Sequence, residues 1–302
     1  MRLVTRIAPD VGWLPISFVN VYFIGRPGSP WVLVDAGLPG SAEKIIASAE
    51  ARFGGGVPPA AIVLTHGHFD HAGSALDLAQ HWNVPIYAHK LEMPYLTGRS
   101  DYPPADPTTG GAIGFLSRFM SSRGRNLADR VRELQPNEVP GAPEWQWIAT
   151  PGHSPGHISL FRSSDRVLIA GDAFATMKME SWSGLLGGRQ RLSRAGAPFN
   201  VDWDQTKESV HKLAELHPSV AACGHGIPRD ESDLPQRMES FAARFRRPRR
   251  GRYVITPAKA DESGVVAVPP APFDPVPYLT AGALALVGIA LGAGYADYER
   301  RK

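Results

Sequence analysis

Cysteine is almost absent from this chain: Cys223 is the only one in 302 residues. A single cysteine excludes an internal disulfide framework and any thiolate-rich zinc site. A metal site here has to be built from imidazoles and carboxylates. A charge excess is missing too. Lys and Arg total 32 against 29 Asp and Glu, a surplus of +3, and so small a surplus does not indicate a nucleic-acid partner. No apolar run stands behind the N-terminal charges, because Arg2, Arg6 and Asp10 interrupt residues 1–13. No secretory signal is therefore expected, and the expected location is cytoplasmic. No short repeat recurs. With 43% hydrophobic and 20% charged residues, the composition is that of a globular chain. The length allows one large domain or two ordinary ones.

Short β-branched and aromatic runs at 18–24 and 31–35 flank Gly25-Arg26-Pro27-Gly28-Ser29-Pro30 and predict a hairpin. Ser41 is placed to cap a helix that runs to about Phe53 and stops at Gly54-Gly55-Gly56. Residues 61–64 predict a buried strand, 73–82 a helix and 84–88 another strand. Residues 95–143 are rich in Pro, Gly, Ser and Arg, with one amphipathic piece near 113–120, and read as an insertion over a site. Strands are predicted at 144–149, 157–162 and 166–170, an irregular stretch over 175–201, a helix over 203–217 and a strand at 220–223. Strands and helices alternate twice in similar order, which predicts two β-rich halves with helices outside.

The tail differs in character. Arg244, Arg246, Arg247, Arg249, Arg250 and Arg252 are followed by Pro269, Pro270, Pro272, Pro275 and Pro277. Residues 279–296 then carry no charge and end at Asp297 and Arg300-Arg301-Lys302. As a helix this segment would be about 27 Å long, near the thickness of a bilayer core. Gly288, Gly292 and Ala296 would give it a small-residue face. The expected organisation is a catalytic domain over 1–243, an Arg-rich then Pro-rich linker over 244–278, and an apolar helix over 279–302. That helix is a candidate membrane anchor; the competing reading is a helix packed by its glycine face. The arginine run suits either anionic lipid or a solvated helix end.

The histidines cluster. Thr65-His66-Gly67-His68-Phe69-Asp70-His71 places four potential ligands within six residues, directly after a predicted buried strand. Imidazole with carboxylate suits Zn, Fe or Mn. Three further candidates adjoin predicted strands and sit beside glycine: His153 in Pro151-Gly152-His153, Asp172 in Gly171-Asp172-Ala173, and His225 in Gly224-His225-Gly226. His157, close to His153, is placed either beside the site or at the surface. Asp35, at the end of an apolar strand, either braces a ligating histidine or caps a turn. His81, His89, His211 and His217 fall away from the cluster.

The set His66-x-His68-x-Asp70-His71, then His153, Asp172 and His225, resembles the metallo-β-lactamase superfamily over about residues 15–230. Residues 32–37 also resemble its early strand and Asp-x-Gly turn. The resemblance implies an αββα sandwich. It implies that His66, His68 and His153 hold a first metal, that Asp70, His71 and His225 hold a second, and that Asp172 bridges them. An aspartate at that bridging position resembles the glyoxalase II, lactonase and phosphodiesterase branches rather than the true β-lactamases.

Two zinc ions about 3.5–4 Å apart can share a bridging hydroxide that attacks a carbonyl or phosphoryl centre. The expected activity is zinc-dependent hydrolysis of a small carboxylic ester, thioester or lactone. The alternatives are a phosphodiesterase or nuclease, and a mononuclear-iron sulfur dioxygenase. Asp70 is either a ligand alone or also the catalytic group that orients the hydroxide and passes on a proton. Phe115, Leu116, Phe119, Met120, Met177, Met179, Trp182 and Leu185 either line an apolar substrate pocket or pack their own loops. The expected partner is a small molecule.

Overall fold

The computed structural model describes residues 4–187 and 190–279. Seven strands build the first sheet in chain order: β1 (Thr5–Ala8), β2 (Val11–Ile16), β3 (Val19–Ile24), β4 (Val32–Val34), β5 (Ala61–Val63), β6 (Ile86–Ala88) and β7 (Val131–Glu133). The pairs from β1 to β4 are antiparallel and those from β4 to β7 are parallel. The expected hairpin is the β3–β4 pair. Helices α1 (Ala42–Phe53) and α2 (Ala75–Trp82) make the two parallel crossovers that follow β4 and β5.

The insertion contains α3 (Met93–Leu96) and α4 (Gly111–Leu116), then returns to the first sheet as β7, an edge strand that the Pro/Gly-rich composition concealed. The second sheet has the order β13-β10-β9-β8, from β8 (Gln146–Ala149), β9 (Ile158–Arg162), β10 (Val167–Gly171) and β13 (Val220–Cys223). Between β10 and β13 lie a two-stranded ribbon, β11 (Ala175–Met177) with β12 (Gln190–Ser193), and helices α5 (Trp182–Leu185) and α6 (Trp203–Ala214). The stretch 175–201 is thus partly regular, against expectation. Helix α7 (Leu234–Ala243) and a hairpin of β14 (Lys259–Asp261) and β15 (Gly264–Ala267) complete the elements.

Alternation along the strands sorts the core into layers. Tyr22 and Ile24 of β3, with Val32 and Val34, face Ile158, Leu160, Val167 and Ile169 of the second sheet. The alternate residues Val19, Val21 and Phe23 face Ile45 and Phe53 of α1 and Leu78 of α2. On the far side, Leu168, Ala170 and Ala221 pack on Val210 and Leu213 of α6 and on Leu234 and Met238 of α7. The result is helix, sheet, sheet, helix: a four-layer αββα sandwich.

Three local expectations are corrected. Ser41 precedes α1 but makes no side-chain cap; its N–H donates instead to Ser74 Oγ at 2.8 Å. Helix α6 stops at Ala214 rather than 217, ahead of His217 at φ 48° and Pro218. The supposed linker does not begin at 244. The compact unit extends to Pro270, because Phe245, Tyr253 and Val254 are buried in the core under α6 and α7. Tyr253 Oη also donates to Pro104 O at 2.6 Å, which ties this segment to the insertion. Apart from Leu279, the predicted apolar helix lies outside the described residues. Among the described residues no helix is long and apolar enough to cross a membrane.

Arg162, on β9, makes a bidentate pair with Asp10 at 2.6 and 2.7 Å, binds Asp165 at 2.8 and 2.9 Å, and lies 4.9 Å from the Trp145 ring centroid. It joins the two sheets at the end away from the histidines. Removing one partner of such a screened pair leaves the other uncompensated. Arg162→Ala should lower the unfolding free energy by about 3 kcal/mol in urea titration. A loss below about 0.5 kcal/mol would show the network to be ornamental.

Candidate metal centre

All seven predicted ligands gather at one edge of the sandwich. The C-terminal ends of β5, β10 and β13 and the start of the antiparallel β9 meet there, so the loops that follow them converge. The β5 loop is a tight turn, with the N–H groups of His71 and Ala72 both donating to His68 O at 3.0 and 2.9 Å. This turn presents His66 and His68 together. His66 Nε2 lies 3.0 Å from His68 Nδ1, which lies 3.1 Å from His153 Nε2. Three ring nitrogens converging on one point is the disposition that a tetrahedral ion requires of three ligands.

A second group adjoins the first. His225 Nε2 lies 3.5 Å from Asp70 Oδ2 and 3.1 Å from Asp172 Oδ2. His71 Nε2 lies 3.5 Å from Asp172 Oδ1 and 4.0 Å from Asp70 Oδ2. Asp172 Oδ2 is also 3.5 Å from His153 Nε2, so one carboxylate touches both groups. The sets His66/His68/His153 and Asp70/His71/His225 each place their ligand atoms close enough to hold an ion. His71 Nε2 and Asp172 Oδ1 are buried with no hydrogen-bond partner. Orphaned polar atoms of this kind are costly unless an ion satisfies them, and the donor set suits a divalent cation.

Outer partners fix the rings. His71 Nδ1 donates to Asp35 Oδ2 at 2.8 Å, His153 Nδ1 to Asn200 Oδ1 at 2.7 Å, and His225 Nδ1 to Phe18 O at 2.8 Å. These three partners only accept, so Nδ1 carries a proton in each ring and Nε2 is the nitrogen left facing the site, free to ligate once it is deprotonated. Asp35 sits at φ 61° and also accepts from Thr65 N at 2.8 Å. It braces a histidine rather than merely capping a turn. His157 is buried beside the site: its Nε2 accepts from Asp172 N at 2.8 Å, and its Nδ1 donates to Thr150 Oγ1 at 2.9 Å.

Sequence reasoning missed Glu92, Asn200 and Phe18. Glu92 is fully buried and accepts from Gly67 N (3.0 Å), Ser154 Oγ (2.7 Å), Gly156 N (2.8 Å) and the Tyr102 hydroxyl. It clamps the loop of His66 and His68 to the loop of His153. Nothing local marks it, because its four partners come from three other segments. The Tyr102 ring packs edge-on to His68 at 4.5 Å, but its hydroxyl is committed to Glu92.

Charge divides the two groups. Burial and neighbouring imidazoles push His66, His68 and His153 below the usual histidine range, with Asp172 opposing the shift at His153. Burial pushes His157 down to about 3. Burial alone would lower His71 as well, but the carboxylates of Asp35, Asp172 and Asp70 raise it to about 10. His225 is raised in the same way, by Asp172 and Asp70 against burial. Burial would raise Asp172, yet His225, His71 and His153 hold it well below the usual carboxylate range. The first group is therefore held toward neutral imidazole, whereas in the second His71 carries a proton at pH 7 that an incoming cation must displace.

A cavity of about 30 Å³ opens on the two groups, lined by His68, Asp70, His153, Asp172 and His225 and, on its apolar side, by Ile113, Met120, Met179 and Phe199. Of the eight apolar candidates only Met120 and Met179 reach it. Met177 and Leu185 pack a small satellite core. Phe115, Phe119 and Trp182 are exposed, and their rings gather on one another, Phe115 lying 6.0 Å from Phe119 and 6.2 Å from Trp182.

Ion uptake by the second group should release a proton at neutral pH and tighten as pH rises toward about 10. Uptake by the first group should be nearly flat around pH 7. Calorimetry in buffers of different ionisation enthalpy reads this directly, and two proton-neutral uptake steps would contradict it. Gly224→Ala should abolish uptake by the second group in a folded protein. A Cβ there would lie 2.1 Å from Asp172 Oδ1 and 2.6 Å from His71 Cε1, and undiminished uptake of the second ion would refute this crowding.

The sequence model of the metallo-beta-lactamase superfamily matches residues 14–225. The chain is 44% identical over 242 residues to a protein of Bacillus subtilis named probable metallo-hydrolase YflN, covering 79% of this chain and 92% of that one. It is 29% identical over 199 residues to a hydroxyacylglutathione hydrolase of Xanthomonas axonopodis pv. citri, covering 64% of this chain and 55% of the relative. A crystallised beta-lactamase domain protein from Burkholderia ambifaria superposes with a TM-score of 0.54 at 22% identity, over 80% of this chain and 75% of that one. The fold, the family match and the gathered histidines and aspartates agree, and this chain belongs to the metallo-beta-lactamase superfamily as a metal-dependent hydrolase.

Proposed function

We propose that this protein hydrolyses a small carboxylic ester, thioester or lactone at a pair of zinc ions. The observation that carries the reading is Asp172, whose Oδ2 lies 3.1 Å from His225 Nε2 and 3.5 Å from His153 Nε2. A single carboxylate between two imidazole groups suits a two-ion site. His66, His68 and His153 would hold one ion, Asp70, His71 and His225 the other, and Asp172 both. The ions would supply Lewis acidity toward the carbonyl oxygen and lower the pKa of water between them toward about 7.

The chain's own residues supply orientation and proton handling. Asp70 lines the cavity, where its carboxylate accepts a hydrogen bond from the attacking water and later passes a proton to the leaving oxygen or sulfur. The lining residues Ile113, Met120, Met179 and Phe199 make one side of the cavity apolar, which keeps bulk water from the reacting carbonyl. The thioesterase option is supported by the hydroxyacylglutathione hydrolase among the relatives.

A screen of lactones, thioesters and phosphodiesters with zinc-loaded protein tests this reading. Turnover of a lactone or thioester is expected. Phosphodiester turnover alone, or oxygen consumption with an iron-loaded protein and no hydrolysis, would overturn it. Asp70→Asn should lower kcat roughly 10²–10⁴-fold with both ions retained, and an unchanged kcat would reduce Asp70 to a ligand. Asp172→Ala should lose the second ion and nearly all turnover. His81→Ala, on the exposed face of α2, should keep full activity.

A further inference from the structure

A larger concavity lies behind the ribbon that walls the metal centre. It encloses about 780 Å³ between β12, α7 and the residues just after α7, a volume within the usual range of small-molecule sites. The catalytic cavity and this groove share a wall. Met179 lines the former, while its neighbours Lys178 and Glu180 line the latter. The two are separate sites on opposite faces of one segment.

The charge of the groove is unbalanced. Its two lining carboxylates are already engaged: Glu180 by Arg194 at 3.0 Å and Glu231 by Arg229. Arg237 is paired outside the lining, with Asp233 at 2.9 Å. Lys178, Arg191, Arg244 and Arg246 also line the groove, and none has a carboxylate within 4.0 Å among the described residues. Arg191, Arg244 and Arg246 are exposed. Under these cations Leu192 and the half-buried Phe241 give the groove an apolar floor, and the Phe241 ring is braced edge-to-face at 5.8 Å by the buried Phe245. The Arg194 guanidinium donates to Arg246 O at 3.0 Å, which holds the segment after α7 against the ribbon.

We infer that this groove binds a small organic polyphosphate of nucleotide type, with its phosphates on Lys178, Arg191, Arg244 and Arg246 and its planar portion on Leu192 and Phe241. Guanidinium forks pair bidentately with phosphate oxygens, and an apolar aromatic floor takes the face of a base. The concavity favours a small molecule over a flat bilayer or a duplex, whose surfaces would not reach its floor. This accounts for the first arginines of the 244–252 run, which the catalytic site does not use. The inference does not depend on which bond the metal centre cleaves.

The test is calorimetric titration of the zinc-loaded full chain with ATP, and with adenosine as the phosphate-free control. Saturable binding of ATP but not of adenosine is expected, weakening as salt is raised. The double variant R191E/R244E should lose at least about tenfold in affinity while its ester hydrolysis is unchanged. The single variants R191A and R246A should each lose a smaller factor and serve if the double variant does not fold. Absence of saturable ATP binding would overturn the inference. So would binding that survives R191E/R244E but disappears in Asp172→Ala, because that would place the nucleotide at the metals. Arginine-dependent binding to anionic vesicles without ATP binding would overturn it in favour of a lipid surface.

Discussion

The buried carboxylate of Asp172 is the constraint on which the rest of the structure depends. It is ionised in a place shielded from water, with imidazoles on two sides and one oxygen left without any hydrogen bond. Such a group is tolerated only where positive charge satisfies it. In the ion-free protein that charge is the proton that Asp35, Asp172 and Asp70 keep on His71, and the carboxylates shift His225 in the same direction. Two cations bound as proposed would take the place of that proton. His71 Nε2 and Asp172 Oδ1 are left without hydrogen bonds among the described residues, and atoms so placed favour a divalent ion without any cysteine.

Holding that carboxylate in place falls to the edge of the sandwich. Gly171, at φ 52°, lets β10 turn sharply into Asp172, and a side chain there would meet His157 Nε2 at 2.6 Å. His157 in turn receives the Asp172 N–H, so the backbone of the shared ligand is fixed as firmly as its side chain. Glu92 locks two ligand loops to each other through four donors, and Asp35 locks a third element through Thr65 and His71. Across the sandwich, Asn20 Nδ2 donates to Cys223 O at 2.9 Å and Tyr22 Oη to the same oxygen at 2.6 Å, which ties the His225 loop to the first sheet. The loops that carry His66, His68, His71, His153, Asp172 and His225 are thus each tied down by a buried polar contact near a strand end.

Much of this was legible in the sequence because ligand chemistry is local. His66, His68, Asp70 and His71 lie within one turn, and His153, Asp172 and His225 each follow glycine at a strand end. The strands themselves read clearly, since β-branched runs such as 61–63 and 167–169 are buried on both faces. What was not legible is long-range. Glu92 is 62 residues from Ser154, and no spacing rule links them. For Phe115, Phe119 and Trp182 the alternative of rings packing within their own loops holds, since they gather on one another, and composition alone does not separate such a cluster from a pocket wall. The segment after 243 was read as a linker from its arginines and prolines, although Phe245, Tyr253 and Val254 bury themselves in the core between them.

The central claim is that two ions share Asp172. Elemental analysis of the purified full chain tests it most directly. The account predicts about two divalent ions per chain, with zinc the expected metal. A single ion per chain at saturation would contradict it.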